Sequence, residues 1–439
     1  MKINYSNKLS WLLSLLVLVS PVFFLTVKHW TNLVVLTLSV GCLLVLLRDV
    51  GTLQPTFTRF KRRREMICGM LVAPMVANAL GQLFRLEFYS PNLDAPFRLI
   101  LCIPIFLAIA NGSLRGHFSK SISQILVTIV LPLTLLWTLF FRVNWPTKWG
   151  PINLTTYFVD PLSFGSYTLL FSLLVLLGLS ESWNKLGSLN RCFCFLGVLS
   201  GFYLSLTSGS RTGWFNLPIF LGILVFFVLK PKLGVRMASF LIVLMAIFLF
   251  GAFLSNNYLL SKFVLIWTEF TDYKLNAANA DTSVGLRLSF YRMGLGYFLE
   301  KPFSGWGDLG WLSLANRPEF IVFASEYARE SPKHGFHNEI ITNAVRSGIW
   351  GLIASISLFA VVLVRAIQGI RLKSTGEHRL ISLTLLVLIS HLFIAGLTTE
   401  ITNLVFLSSF IGLTLAVLLG EQIYLEELPQ KNNVDQIIV

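Results

Sequence analysis

The chain has 439 residues, of which 55% are hydrophobic and only 13% charged, and its formal net charge is +14. Such a composition excludes an ordinary water-soluble domain unless the apolar residues fill one implausibly large core, so the bilayer is the simpler solvent. The positive balance does not call for nucleic acid, because basic residues gathered in particular loops satisfy the positive-inside rule.

Uncharged stretches close to the ~20 residues needed to cross hydrocarbon recur along the sequence, which predicts an all-α, polytopic membrane protein. A closed barrel would need short alternating strands, whereas these runs are long and continuous. In chain order the expected spans are 9–27, 30–47, 66–84, 97–111, 121–141, 162–180, 192–207, 214–229, 235–254, 338–364, 379–397 and 401–419, about twelve transmembrane helices in all. The first follows Lys2 and Lys8 and is read as a retained helix, since its apolar part is long and no small-residue cleavage site precedes Trp30. The fourth is short and interrupted by Pro104. Cys42, Cys68, Cys102, Cys192 and Cys194 all lie in or beside apolar stretches, so neither a disulfide framework nor a metal site is expected.

Three basic loops set the orientation: residues 48–64 with the run Lys61-Arg62-Arg63-Arg64, the group Lys230, Lys232 and Arg236, and the group Arg365, Arg371, Lys373 and Arg379. All three fall on one side if the spans are as drawn, placing both termini in the cytoplasm and the segment from 255 outside. The expected organisation is nine spans within 1–254, an outer loop over 255–337, three spans within 338–420 and a cytoplasmic tail over 421–439. The outer loop is no linker. Residues 259–270 and 286–300 carry apolar residues at helical spacing, and Lys301-Pro302-Phe303-Ser304-Gly305-Trp306-Gly307 follows as a turn-rich run. Its aromatics, Trp267, Tyr291, Tyr297, Phe298, Trp306 and Trp311, suit an interfacial cap and sugar stacking alike.

Four features on the expected outer side stand out. Ser208-Gly209-Ser210-Arg211-Thr212-Gly213 is a tight polar turn that needs no arginine. A charge costs ~2.5–3.5 kcal/mol at the bilayer centre and less at the interface, so Arg211 either snorkels or offers its planar guanidinium to phosphate oxygens. Second, Arg287 shares a helical face with Tyr291 and Gly294, while Arg292 projects roughly 140° away, so Arg287 is expected to point inward and Arg292 toward solvent or headgroups. Third, His334-Gly335-Phe336-His337-Asn338-Glu339 stands where the loop re-enters the membrane. A histidine there can take a proton from a sugar hydroxyl, with the neighbouring carboxylate fixing its tautomer. His-x-x-His also invites a metal, but no convincing third ligand accompanies it. Fourth, Arg346 falls about two helical turns inside the tenth expected span and needs a partner, for which Glu400 is available. Arg85, Arg98, Arg142 and Lys28 also fall near outer ends, making that vestibule cationic and suited to an anionic ligand from the outer leaflet.

In their order, the Ser-Gly-Ser-Arg-Thr-Gly turn, Arg287 followed by Glu300-Lys301-Pro302-Phe303-Ser304-Gly305-Trp306-Gly307, and His337-Asn338-Glu339 opening the next span make the chain resemble the bacterial O-antigen ligase and O-antigen polymerase superfamily. The resemblance is clearest over about 199–351. It implies a GT-C-like helical architecture in the inner membrane and a metal-independent, cofactor-free glycosyl transfer at the periplasmic face. In ligases of this family a glycan on undecaprenyl pyrophosphate passes to a terminal sugar of the lipid A–core oligosaccharide. By motif, Arg211 and Arg287 would bind the pyrophosphate, and His337 would act as base on, or orient, the acceptor hydroxyl. Arg292, Arg142 and Arg346 complete the expected substrate-binding set. Arginines can replace the divalent cation of other glycosyltransferases, because pyrophosphate leaves readily once its charge is neutralised. The chain departs from the family at Arg346, where members often carry an acidic residue.

Within the superfamily, the compact chain argues against a protein O-oligosaccharyltransferase, and the short 142–161 segment against a polymerase with two substantial outer loops. The late position of the single long loop favours a ligase. A lipid-linked glycan flippase or transporter of about twelve helices is the alternative from another class, but it would usually show two related halves and charged or broken helices near the midplane.

Overall fold

A computed structural model describes residues 5–49, 61–114, 118, 125–144, 154–182, 187–210, 212–229, 257–275, 281–308, 310–331, 335–372 and 376–434. Among the described residues the chain is helical, without β-strands. The main helices are α1 (Tyr5–Val19), α2 (Trp30–Asp49), α3 (Lys61–Arg85), α4 (Pro91–Leu101), α5 (Ile103–Ala110), α6 (Leu131–Asn144), α7 (Pro161–Ser182), α8 (Ser188–Thr207), α9 (Asn216–Ile223), α10 (Asn257–Leu275), α11 (Ser283–Glu300), α12 (Glu339–Ser347), α13 (Ile349–Arg371), α14 (Gly376–Gly396) and α15 (Val405–Val434).

Among the described residues, eight helical segments are long and apolar enough to cross a membrane: α2, α3, the paired α4–α5, α7, α8, α13, α14 and α15. Shorter apolar helices cover Lys8–Val19, Leu131–Phe141 and Thr212–Phe227. The expected span over 235–254 lies outside the described residues. In α15 and α7 the apolar window is 89% and 83% buried, against 39% in α8 and α13. The first pair therefore forms the centre of the bundle, and the second presents most of its surface to the apolar surroundings that such helices require.

Two expected spans take a different form. The stretch 9–27 is helical only to Val19 and then runs through turns to His29, since Pro21 cannot donate to the helical ladder. The stretch 338–364 is broken at Gly348, whose φ of 63° and ψ of −145° belong to a region open essentially to glycine. A straight helix would set Gly351 and Asn343 about 12 Å apart. Instead, a Cβ added at Gly351 would overlap the Asn343 carbonyl oxygen, so the chain doubles back between α12 and α13. Arg346 consequently sits on a short helix ahead of the span rather than two turns inside it.

The bundle has two chemically distinct ends. At the basic end, Arg63 and Arg365 both bond Glu426, at 2.6 and 2.7 Å, and Arg64 bonds Glu427 at 2.6 Å. Two of the three loops expected to be cytoplasmic thus meet the end of α15 through these ion pairs. α3 leaves this cluster and carries Arg85 to the far end, where its Nη1 donates to the Ser304 and Arg346 carbonyl oxygens at 2.6 and 2.8 Å. A second, smaller core gathers there from Phe290, Met293, Tyr297, Trp311, Phe320, Phe336 and Val345. The segment after α10 is therefore a folded cap with its own apolar interior.

Candidate functional site

The far end is organised by residues 397–404, the turn between α14 and α15. Glu339 opens α12 and is fully buried. Its carboxylate accepts from Asn343 Nδ2 at 2.7 Å, from the backbone N–H groups of Ile401 and Thr402 at 2.7 and 3.1 Å, and from Thr402 Oγ1. Burial pushes the Glu339 carboxyl up, while the bonds from Thr402, Ile401 and Asn343 pull it back. Beside it, Thr342 Oγ1 donates to Glu400 Oε1 at 3.0 Å and accepts from the Phe336 N–H at 2.9 Å.

His337 precedes this helix with φ of 48°, a left-handed conformation that costs a β-carbon-bearing residue about 1 kcal/mol. Asn338 then caps α12, its Oδ1 accepting from Ile340 and Ile341 N–H at 3.0 Å each. The strained backbone turns the imidazole away from Glu339 toward α11, where the Phe290 ring lies 5.5 Å off. Among the described residues the His337 ring has no hydrogen-bond partner. The tautomer-fixing carboxylate expected from the sequence is thus engaged elsewhere.

On α11, Arg287 and Tyr291 share a face, as the helical period requires. Arg287 Nη1 donates to Ser283 Oγ and O at 2.7 and 3.2 Å, and Tyr291 donates its hydroxyl to the Leu397 carbonyl. Burial raises the Tyr291 phenol, while Asn338 and Arg287 lower it, which sets both close by. Arg292 points the other way, its guanidinium 3.9 Å above the Phe323 ring and its Nη1 3.4 Å from Tyr273 Oη.

Arg211, His334 and the Arg142 side chain lie outside the described residues. The residues flanking Arg211 do not. Ser210 Oγ donates to the Leu162 carbonyl at 3.2 Å, and Thr212 Oγ1 accepts from Thr398 Oγ1 at 3.3 Å. The polar turn is therefore pinned against the start of α7 and against the same 397–404 segment that Tyr291 and Glu339 bind.

Arg346 pairs with Asp308 and also donates to Asn403 Oδ1, rather than pairing with Glu400. Its neighbourhood depends on two turns that dock face to face. Trp306 N–H donates to Val345 O at 2.7 Å, Gly307 N–H to Arg346 O at 3.1 Å and Ile349 N–H to Pro302 O at 2.6 Å. Both turns need glycine. A Cβ at Gly305 would stand 2.5 Å from Arg346 O, and one at Gly348 2.5 Å from Pro302 O. Sequence reasoning missed Asp308, whose only signal is an acidic residue directly after the glycine-rich run.

It also missed His391, buried within α14, which bridges Ser166 Oγ on α7 and Asn216 Nδ2 on α9, each at 3.2 Å. A histidine inside an expected span was legible as an intramembrane polar group. Among the described residues no group of three or more His, Cys, Asp or Glu side chains is placed to hold a metal ion.

Among the described residues, the long apolar helices, the polar far end and the folded cap suit a multi-pass membrane protein. Residues 195–356 match the family model described as O-antigen ligase, so this part of the chain is similar to that family. The matched segment holds the 208–213 turn, α11, the 302–307 turn and α12. An uncharacterized protein of Haemophilus influenzae is similar as well, 23% identical over 309 residues that cover 69% of this chain and 73% of that protein.

Proposed function

We propose that this chain is an O-antigen ligase that transfers a polysaccharide from undecaprenyl pyrophosphate to the lipid A–core oligosaccharide. It would cross the bacterial inner membrane about twelve times, as the hydropathy count has it, with both termini cytoplasmic and residues 255–337 in the periplasm. The observation that carries the reading is the convergence on 397–404. Thr212, next to Arg211, meets Thr398; Tyr291, one turn from Arg287, bonds Leu397; and Glu339, two residues after His337, bonds Ile401 and Thr402.

In this reading Arg211 and Arg287 hold the pyrophosphate, and the protein needs no metal ion or cofactor. The acceptor hydroxyl oxygen forms the new bond to the anomeric carbon and gives its proton to His337, while the bond from that carbon to the phosphate oxygen breaks. The departing undecaprenyl pyrophosphate carries the negative charge, which the two arginines stabilise more strongly as it develops. The His337 imidazole has no competing partner among the described residues, which leaves it open to the acceptor hydroxyl. Arg142 would add to the cationic vestibule. Arg292 and Arg346 would contribute their field from the rim, since Phe323 and Asp308 already engage them. Both lipid substrates arrive through the bilayer, so other membrane lipids are neighbours of the site and nucleic acid is not.

Deleting the gene and examining the lipopolysaccharide tests the reading. Loss of all capped species with accumulation of lipid-linked polymer is the expected result. Core bearing a single repeat unit would make the chain a polymerase instead.

A further inference from the structure

A cleft of about 340 Å³ opens at the far end between the α3–α4 turn, the 302–311 segment and α12. Its walls include Tyr89, Asn92, Asp308, Gly335, Thr342 and Arg346. We propose that this cleft is a saccharide subsite, holding a sugar of one of the two glycans.

The charges lining it are matched to each other. Arg346 is taken by Asp308 and Asn403, and Arg85, behind Gly307, by Glu87 at 3.4 Å and by two carbonyls. A pyrophosphate needs uncommitted cations, so it has little reason to settle here. A neutral polyol has good reason. Among the described residues Asp308 Oδ2 accepts no hydrogen bond, and a buried acceptor left unmade is costly until a donor such as a sugar hydroxyl arrives. Tyr89 stands 49% exposed at the rim, its backbone fixed by Gln82 at 3.0 and 3.1 Å, so the ring is presented without being packed. An aromatic face beside carboxylate, hydroxyl and amide groups is the combination that receives a pyranose, apolar on its C–H face and polar around its edge. The volume falls within the ~300–1,000 Å³ of small-molecule sites. Gly335 and Phe336, which immediately precede His337 in the chain, form one wall.

The proposal rests on the glycosyl-transfer reading only for which glycan fills the cleft. Purified full-length protein in nanodiscs supplies the test, with Tyr89→Ala/Asn92→Ala and Asp308→Asn as variants and thermal unfolding as the check on folding. Transfer is measured with donor and acceptor varied separately. A KM raised roughly tenfold for one substrate, with kcat little changed, is expected, and the affected substrate names the glycan. Unchanged KM values in both arms overturn the proposal, as does a fall in kcat alone. Saturation-transfer NMR with delipidated core oligosaccharide and with free repeat-unit oligosaccharide is a second arm independent of turnover. If the wild type transfers nothing, the ligase reading falls. The subsite then stands on saccharide binding that Asp308→Asn weakens, and it falls if neither oligosaccharide binds.

Discussion

Glu339 binds the backbone of Thr402, the N–H to carboxylate distance being 3.1 Å, and so ties the helix behind His337 to the turn before the last helix. The adjacent Ile401 N–H at 2.7 Å doubles the link. Removing the carboxylate leaves two buried backbone donors unmade, each worth about 1–3 kcal/mol. Glu339→Ala is therefore expected to lower the unfolding temperature markedly, and Glu339→Gln, which keeps an acceptor oxygen, to lower it less. Thermal unfolding of the purified variants checks the order.

Gly348 permits the reversal between α12 and α13. Gly348→Ala combines a disfavoured backbone with a Cβ 2.5 Å from Pro302 O, and a loss of at least about 2 kcal/mol is expected. Gly69 on α3 is the contrast, with open space around its would-be Cβ. Gly69→Ala is expected to gain about 0.5–1 kcal/mol from helix propensity. Denaturant or thermal unfolding of the two variants separates the cases.

Arg346 and Asp308 are both largely buried, with side-chain exposures of 12% and 19%. Either single alanine variant leaves the other charge poorly solvated, and a loss of about 2–3 kcal/mol is expected. The double variant is expected to cost clearly less than the sum of the two. Additive losses in such a cycle would mean that the pair does not couple.

Arg287 is assigned to the pyrophosphate, and a charge-assisted bond to it is worth ~1.5–3 kcal/mol. Arg287→Ala is expected to weaken binding of the lipid pyrophosphate by roughly 10–100-fold. Arg292→Ala, on the opposite face of α11, is expected to weaken it far less. Titration of undecaprenyl pyrophosphate into nanodisc-held protein reads both, and an unchanged constant for Arg287→Ala removes that residue from the site.

Hydropathy made most of the bundle legible, because a stretch such as 162–180 has one solution in lipid. The helical period likewise separated Arg287 from Arg292. The break at Gly348 was hidden because a glycine is tolerated in membrane helices, although the polar Glu339, Thr342, Asn343, Arg346 and Ser347 before it contrast with the apolar run that follows. Spacing also misdirected the partners of Glu339 and Arg346. Glu339 is close to His337 in sequence, but the left-handed turn at His337 and the cap at Asn338 send the two side chains apart. Arg346 finds Asp308, 38 residues away, only because two glycine turns dock. Such pairings are set by tertiary structure and leave no local period to read.

His337→Gly isolates chemistry from folding, since glycine adopts a φ of 48° without strain. The variant is expected to be at least as stable as the parent. The most direct test compares the two proteins with lipid-linked O-antigen and lipid A–core in the presence of EDTA. Capped lipopolysaccharide should form with the parent and fall by about 10²–10⁴-fold with His337→Gly. Near-normal ligation by His337→Gly, or a parent that works only when metal is added back, would contradict a metal-independent transfer centred on His337.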